Sequence, residues 1–457
     1  MNETIKDLIK KQIVINKTII TILIIETITD SNMINDFILR KIDYLKKEKN
    51  IYNYLFNNLP CINIKKIKKE NIIIYLTNGY TIIKIDNKYL AVETIKTPNR
   101  SITTSEYEKS ITGPKDCFNE HFNTNVGLIR KRIKNINLKL EDMIIGKYTN
   151  TRIGIMYIDS ICKKELKNKI KEKLSKINID GLIDSSYLIK YLSNSHNLFP
   201  TIKKTERPDL VTQALLEGKV IIIMDNCPDI LILPTFFIDY FHMSDDYYQK
   251  NFNTTFIRII RLLAFIIAII LPSYYVAITT INVDLIPINL LVNLMAQRIS
   301  VPFPAFIEAF IMIISFEILR ESDLRIPSMQ GTAISILGGL VLGDAAVNAG
   351  IISPIMIIIV AISAISGLVF QSIEMVNAIR FWRFILIIFA SIFGLYGIFI
   401  GIIILITNIC DTKSIDKDYL YPFAPININE QKDGFIKINN LIKKRNPLLS
   451  KNVIRGK

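Results

Sequence analysis

RIIRLLAFIIAIILPSYYVAITTINV, residues 258–283, decides how this chain is read. After Arg261 it holds no charged side chain through Val283, a length that crosses a bilayer's hydrocarbon core as a helix. A helix of a soluble core would show a polar face within that length. Uncharged apolar runs recur at Ile326–Gly343, Ala345–Ile373 and Phe384–Cys410. From Arg258 to about Asn408 the chain therefore reads as a membrane segment. Arg258 and Arg261 before the first run place that end on the cytoplasmic side by the positive-inside rule. Pro272, inside the run, is expected to kink or split the helix.

Upstream the pattern changes to short strands and amphipathic helices. The expected fold class is an α/β soluble N-terminal half, of two possibly duplicated subdomains, followed by an all-α polytopic membrane domain. The expected divisions are 1–147 and 148–253 for the subdomains, 254–410 for about four to six membrane segments, and 411–457 for a basic cytoplasmic tail. Thr18–Ile25 is a β-branched run, followed by helical spacing at Ile34, Phe37, Ile38 and Ile42. Ile153–Ile158, Asp159-Ser160-Ile161 and a charged amphipathic helix repeat this order at an offset of 133. Asn78-Gly79, the strand Thr81–Ile85, Asp86-Asn87 and Tyr89–Val92 recur as Glu217-Gly218, Val220–Met224, Asp225-Asn226 and Ile230–Leu233, at an offset of 139. Asp-Asn between apolar runs is turn chemistry. Two features in one order suggest duplication; chance similarity among Ile-rich strands is the plainer alternative. Ile13–Ile28, interrupted by Lys17 and Glu26, reads as a buried strand and not as a cleavable signal.

The bulk numbers narrow the function classes. The chain has 457 residues, a formal charge of +15 and a pI near 9.3. Its basic residues are spread out and not interleaved with aromatics, which favours an anionic membrane surface over nucleic acid. Part of the charge reflects the AT-rich codons of Ile, Asn and Lys. Cys61, Cys117, Cys162, Cys227 and Cys410 fit no zinc spacing, and His121, His196 and His242 are isolated. There is no Walker A sequence and no G-x-G-x-x-G. No catalytic residue, metal site or cofactor is expected, and the chain does not read as an enzyme.

Two regions offer candidate residues. Val126–Leu140 is expected as a helix in which Ile129 and Ile133 alternate with Arg130 and Arg132. It is either a solvated basic face or a subunit or membrane-surface contact. In the membrane half, Glu308 would lie in a helix at a cost of about 2.5–3.5 kcal/mol at bilayer depth, so it should face protein or water. Gly331, Ser335 and Gly339 share a face at i, i+4, i+8, spacing that lets helices approach closely. Gly343-Asp344-Ala345-Ala346-Val347-Asn348-Ala349-Gly350 forms a polar break before Pro354. Arg380 and Arg383 mark a further cytoplasmic end. The basic tail also looks cytoplasmic, which conflicts with strict alternation through five spans. Ile286–Arg298 or Val301–Leu319 is the expected exception.

Ordered short sequences then point to a family. They include Glu206-Arg207-Pro208-Asp209, Leu215–Val220, Asp246-Tyr247-Tyr248, Leu271–Ala277, Pro302-Phe303-Pro304-Ala305, Phe316–Glu321, Gly343–Gly350, Asn377–Phe381 and Pro422-Phe423-Ala424-Pro425. Gly113-Pro114 and Asn125–Arg132 extend the match, which runs from about residue 20 to 426. The chain resembles the A subunit of a GerA-type spore germination receptor; a sister branch, encoded with the dipicolinic-acid channel proteins, shares the architecture. At Asp344 the family more commonly has Gln or Glu.

The resemblance implies the spore inner membrane, with the soluble half in the spore core. It also implies a permease-like B subunit and a lipoprotein C subunit as partners, and a homo-oligomer of A subunits that forms or gates a path for monovalent cations. Glu308, Gln330, Asp344 and Asn348 are the polar candidates for that path, and Gly331, Ser335, Gly339 and Gly343 the packing candidates. Ile129, Arg130, Arg132 and Ile133 are the candidate subunit contact. The alternatives are a non-conducting scaffold that organises the nutrient-binding partners, and a secondary transporter.

Overall fold

The computed structural model describes residues 7–15, 18–43, 51–61, 63–95, 108, 112–193, 197–325, 343–426, 434–435 and 445–451. Ten strands form two antiparallel sheets. The first holds β1 (Leu8–Ile15), β2 (Thr18–Ile25), β3 (Ile64–Ile67), β4 (Tyr80–Ile85) and β5 (Lys88–Glu93), in the order β1-β2-β4-β5-β3. The second holds β6 (Leu138–Ile145), β7 (Thr151–Ile158), β8 (Lys203–Thr205), β9 (Val220–Met224) and β10 (Ile230–Leu233), in the order β6-β7-β9-β10-β8. The two orders are the same path.

The register repeats as well. In the first sheet Ile20 pairs with Ile85, Ile22 with Ile83 and Leu23 with Ile82. In the second Ile153 pairs with Met224, Ile155 with Ile222 and Met156 with Ile221. Adding 133 on the β2 side and 139 on the β4 side converts one list into the other. The two offsets read from sequence are therefore one pairing pattern, which supports duplication over chance. The stretch Ile13–Ile28, expected as one strand, is divided between β1 and β2, whose residues pair from Leu8↔Ile25 to Ile15↔Thr18.

Each sheet is apolar on both faces. In the first, one face packs on the helical run 31–43 (α1), whose middle turn Ile34–Leu39 is π-wound, and on α2 (Ile51–Asn58); α3 (Ile72–Thr77) covers the other. In the second, α4 (Phe122–Arg132) and α7 (Pro208–Glu217) cover one face. α5 (Lys164–Ser175) and α6 (Ser185–Leu192) begin to cover the other, which continues into the helical half through Phe265, Ala268, Ile269, Met375 and Trp382. The helix expected over Val126–Leu140 stops at Arg132. Asn135 Oδ1 accepts from the Asn137 amide at 2.9 Å, a local turn that competes with the helix, and β6 begins at Leu138.

The helical half begins with α8 (Asn251–Thr280), α9 (Ile288–Arg298) and α10 (Ala305–Arg325). Helical residues 343–348 (α11), α12 (Pro354–Gly367) and α13 (Ile373–Asp411) follow. α8 and α13 are long and apolar enough to cross a membrane. The run Ala345–Ile373 is broken at 349–353 and 368–372.

α13 is not one rod. Gly394 has φ +60° and ψ −139°, a conformation essentially confined to glycine. As a straight helix its 39 residues would reach about 58 Å, nearly twice a hydrocarbon core of about 30 Å. Instead the chain folds back. Gly397 lies against the Phe389 carbonyl and Gly401 against the Leu386 side chain, with no room for a Cβ. Asn282, just past α8, pins the bend by accepting from the Leu395 amide at 2.9 Å. The second limb returns to the soluble half, where Ser414 Oγ donates to the Thr201 carbonyl (2.6 Å) and accepts from the Thr235 amide (3.0 Å). A reversal within the final apolar run thus returns the tail to the soluble half, and the helix inside Ile286–Arg298, at 11 residues, is itself shorter than a crossing needs.

Candidate functional site

Three buried polar centres tie the helical half together. The first joins it to the second soluble unit. Arg258 and Arg261, three apart on one face of α8, are both buried. Asp246, itself 2% exposed, accepts from Arg258 Nε at 3.2 Å and from Arg261 Nη1 at 2.6 Å through Oδ2. Arg258 Nη1 also donates to the Gly434 carbonyl (2.7 Å), and Arg261 Nη1 to the Phe241 carbonyl (2.8 Å). Two guanidinium charges buried near one carboxylate are tolerable only with such added acceptors. His242 Nε2 lies 3.1 Å from the same Gly434 carbonyl. Burial, then the Arg258 charge beside it, pushes the His242 imidazole well below its ordinary range.

The second centre is a consequence of Pro272. Proline has no amide hydrogen, so the carbonyl four residues back is freed. That carbonyl is Ala268, fully buried. It accepts from Ser363 Oγ of α12 at 2.9 Å and from Arg383 Nε of α13 at 2.8 Å. Arg383 Nη2 donates onward to the Ser363 carbonyl at 3.2 Å and passes over Gly367. α8 is therefore continuous through Pro272, not split, because donors from two other helices replace the lost one.

The third centre surrounds Glu308, fully buried in the first turn of α10. Its Oε2 accepts from the Ser353 amide (3.1 Å) and hydroxyl (2.9 Å), at the start of α12. Its Oε1 faces Arg298 Nη2 of α9 at 3.2 Å. The carboxylate is held by a cation and a helix N-terminus together. Tyr275, Ala309 and Met356 belong to the apolar cluster shared by α8, α10 and α12.

The other expected residues are scattered. Gly343 is buried, whereas Asp344 and Asn348 are exposed on α11. Gln330, Gly331, Ser335 and Gly339 lie outside the described residues. Ile129 of α4 is fully buried and Ile133, just past its end, nearly so, within the core of the second unit. Arg130 is turned inward to Asp7 of the first unit, its Nη2 donating to Asp7 Oδ1 at 2.6 Å, and Thr27 Oγ1 donates to Asp7 Oδ2 at 3.1 Å. Gly127 of α4 meets the Thr27 carbonyl, where a Cβ would come within 2.8 Å. Arg132 pairs with Asp116 at 2.6 Å. These four residues are thus engaged inside one chain, and Arg130 joins the two soluble units. Beside the joint is a cleft of about 490 Å³, with Ile28, Ile74, Tyr75 and Ile95 on one wall and Lys131 and Lys134 on the other. Elsewhere Asp184, Cys227 and Asp229 approach one another, with Asp184 already capping α6 at the Ser186 amide (2.8 Å). All five cysteines are free thiols.

Arg258, Arg261 and Arg383 were legible as charges but not as partners, since the sequence reading used them to mark helix ends. One signal was available. Pro272 inside an apolar helix announces a carbonyl in need of a donor, and Arg383 lies just before an uncharged run on another helix.

The comparisons with known proteins agree on one family. The family model described as Bacillus/Clostridium GerA spore germination protein matches residues 1–449. Spore germination protein KA of Bacillus subtilis is 38% identical over 92% of this chain and 78% of its own length. Spore germination protein GerQA of Bacillus cereus is 34% identical over 98% of this chain and 90% of its own. The crystal structure of the N-terminal domain of the A subunit of the Bacillus megaterium spore germinant receptor GerK3 is 27% identical. It matches over 51% of this chain and 90% of that one, with a TM-score of 0.36. This chain belongs to the GerA family of spore germination proteins.

Proposed function

We propose that this chain is the A-type subunit of a nutrient germination receptor. It sits in the spore inner membrane as a multi-pass protein, with the soluble half in the spore core. Copies of the chain, with a permease-like B subunit and a lipoprotein C subunit, form or gate a path for monovalent cations. The divisions at 147, 253 and 410 belong to this reading, which assigns the protein no enzymatic step. It draws support from the germination proteins that the chain resembles.

The observation that carries the conducting role is a division among the polar groups of the helical half. Glu308 and Arg383 are enclosed and bonded to other helices at their contacts. Asp344 and Asn348, four residues apart, are exposed and share a helix face. Polar groups at membrane depth face protein or water and not lipid, so these two face a neighbouring copy or an aqueous path. Gln330, Gly331, Ser335 and Gly339 are assigned to the same inter-copy region. Apolar side chains on α13, among them Tyr396, Phe399 and Ile403, are strongly exposed and suit lipid or partner helices.

The test is potassium flux in liposomes containing the chain with its partner subunits and nutrient. Wild type is expected to conduct, and Asp344→Asn to change cation-over-anion selectivity with folding intact. A folded, oligomeric wild type that passes no cation under those conditions leaves the scaffold reading in its place.

A further inference from the structure

The two soluble units differ at one seat. In the first unit, the chain just past β5 returns to the segment after β2. The Asp30 amide donates to the Thr94 carbonyl at 2.8 Å, and Thr29 pairs with Ile95 as an antiparallel bridge. Gly79, at φ +86°, lets this segment approach, with the Ile95 side chain 3.3 Å from where a Cβ would stand.

In the second unit, the residues equivalent to Asp30 and Thr29 are Lys163 and Cys162, at the same offset of 133. The chain past β10 does not return to them. It leaves toward the helical half, the Thr235 amide donating to Ser414 Oγ and the Phe237 amide to the Tyr419 carbonyl. The seat is filled all the same, by the far end of the chain. The Lys163 amide donates to the Leu449 carbonyl at 3.0 Å, and Cys162 pairs with Ser450 as an antiparallel bridge. Gly218, at φ +93°, again faces the incoming segment, the Leu449 carbonyl lying 3.3 Å from where a Cβ would stand. Leu449 is fully buried and Ser450 nearly so.

Polar contacts flank the seat. Arg445 Nε donates to the Leu216 carbonyl at 2.9 Å, one of the carbonyls that the end of α7 leaves unpaired. The Lys451 amide donates to the Ile161 carbonyl at 2.7 Å, and Lys451 Nζ to the Asp159 carbonyl at 2.9 Å.

We propose that Ile161–Lys163 and Gly218 form a binding site for an extended peptide, and that residues 445–451 are its resident ligand, a separable segment that takes the place of Thr94 and Ile95. Main-chain pairing supplies the affinity and one buried leucine the selectivity, as in recognition by strand addition. A basic side chain at each end reads the carbonyls of α7 and of the β7 loop. The segment thereby ties the end of the chain to the unit that carries the helical half.

The test uses the full chain in lipid discs, with alkylation of each cysteine followed by mass spectrometry. Cys162 is 2% exposed, and burial pushes its thiol up to about 12, so it should label slowly. Leu449→Asp, and separately truncation after residue 444, should raise Cys162 labelling by about tenfold or more while Cys117 and Cys227 stay protected, as for a local opening. A synthetic peptide of residues 445–451 added to the truncated chain should restore protection, and the same peptide with the leucine replaced by aspartate should not. Unchanged Cys162 labelling in both variants overturns the proposal. So does an equal rise at Cys227, which would make the segment an ordinary part of the core, and so does failure of the peptide to protect.

Discussion

The first soluble unit closes on its own residues; the second does not. Both have one strand order and one register. The two cores of the first unit contain only residues between Leu8 and Val92. The matching core face of the second continues without a break through Phe265, Ala268 and Ile269 of α8, Trp382 and Leu386 of α13, and Tyr419 and Leu449 of the tail. The same sheet thus serves once as a self-contained module and once as the floor of the helical half. The chain past β5 stays at home, whereas the chain past β10 departs to build the joint. The two units share strand order and register, and differ in what each sheet is attached to.

The largest effect is expected from Asp246→Asn. It leaves Arg258 and Arg261 buried without a carboxylate, a change worth about 3–5 kcal/mol. The loss should appear in the unfolding of the second unit together with α8, followed by amide exchange, while β2, β4 and β5 keep their protection. Equal loss in the first unit would mean that the two units are one body.

The middle effect tests the Pro272 centre. Ser363→Ala with Arg383→Met removes both donors to the Ala268 carbonyl, and an unsatisfied buried acceptor costs about 1–3 kcal/mol. Adding Pro272→Ala supplies the missing amide hydrogen within α8. Thermal melting in detergent should therefore show the triple variant recovering most of the double variant's loss. No recovery would place the penalty in packing and not in the freed carbonyl.

Little of this was visible in the sequence, although most elements were. Thr18–Ile25 and Ile230–Leu233 were bounded correctly because β-branched runs end at turn residues there. The helix drawn through Asn135 to Leu140 failed because an Asn side chain won its local backbone. The folding point of α13 was hidden because Gly394 is one glycine among several in an apolar run. The backbone angles of Gly394, the placement of Asn282 and the close approaches of Gly397 and Gly401 reveal which one bends. Glu308 was legible as a carboxylate that must face protein or water. Its partners Arg298 and Ser353 lie ten residues before it and forty-five after it, distances that periodicity does not carry.

The smallest effect is a pH dependence confined to the joint. Arg258, Lys203 and Lys219 bear on His242, and burial with these charges keeps its imidazole well below the ordinary value. The unfolded chain takes up a proton below about pH 6.5 where the folded chain does not, so stability falls as pH falls through that value. The slope is at most about 1.4 kcal/mol per pH unit. His242→Gln should flatten the midpoint of the second unit's unfolding between about pH 6.5 and pH 5 and leave the first unit's unchanged. An unaltered slope would assign the dependence to other groups.

The second soluble unit and the start of the helical half share one core and act as one mechanical body, to which the first unit is joined but not fused. Amide exchange on the intact wild-type chain in lipid discs tests it most directly. One opening free energy shared by β7, β9 and the first turns of α8, and a different one for β2 and β4, is the expected result. A common value for both sheets, with α8 opening separately, would contradict it.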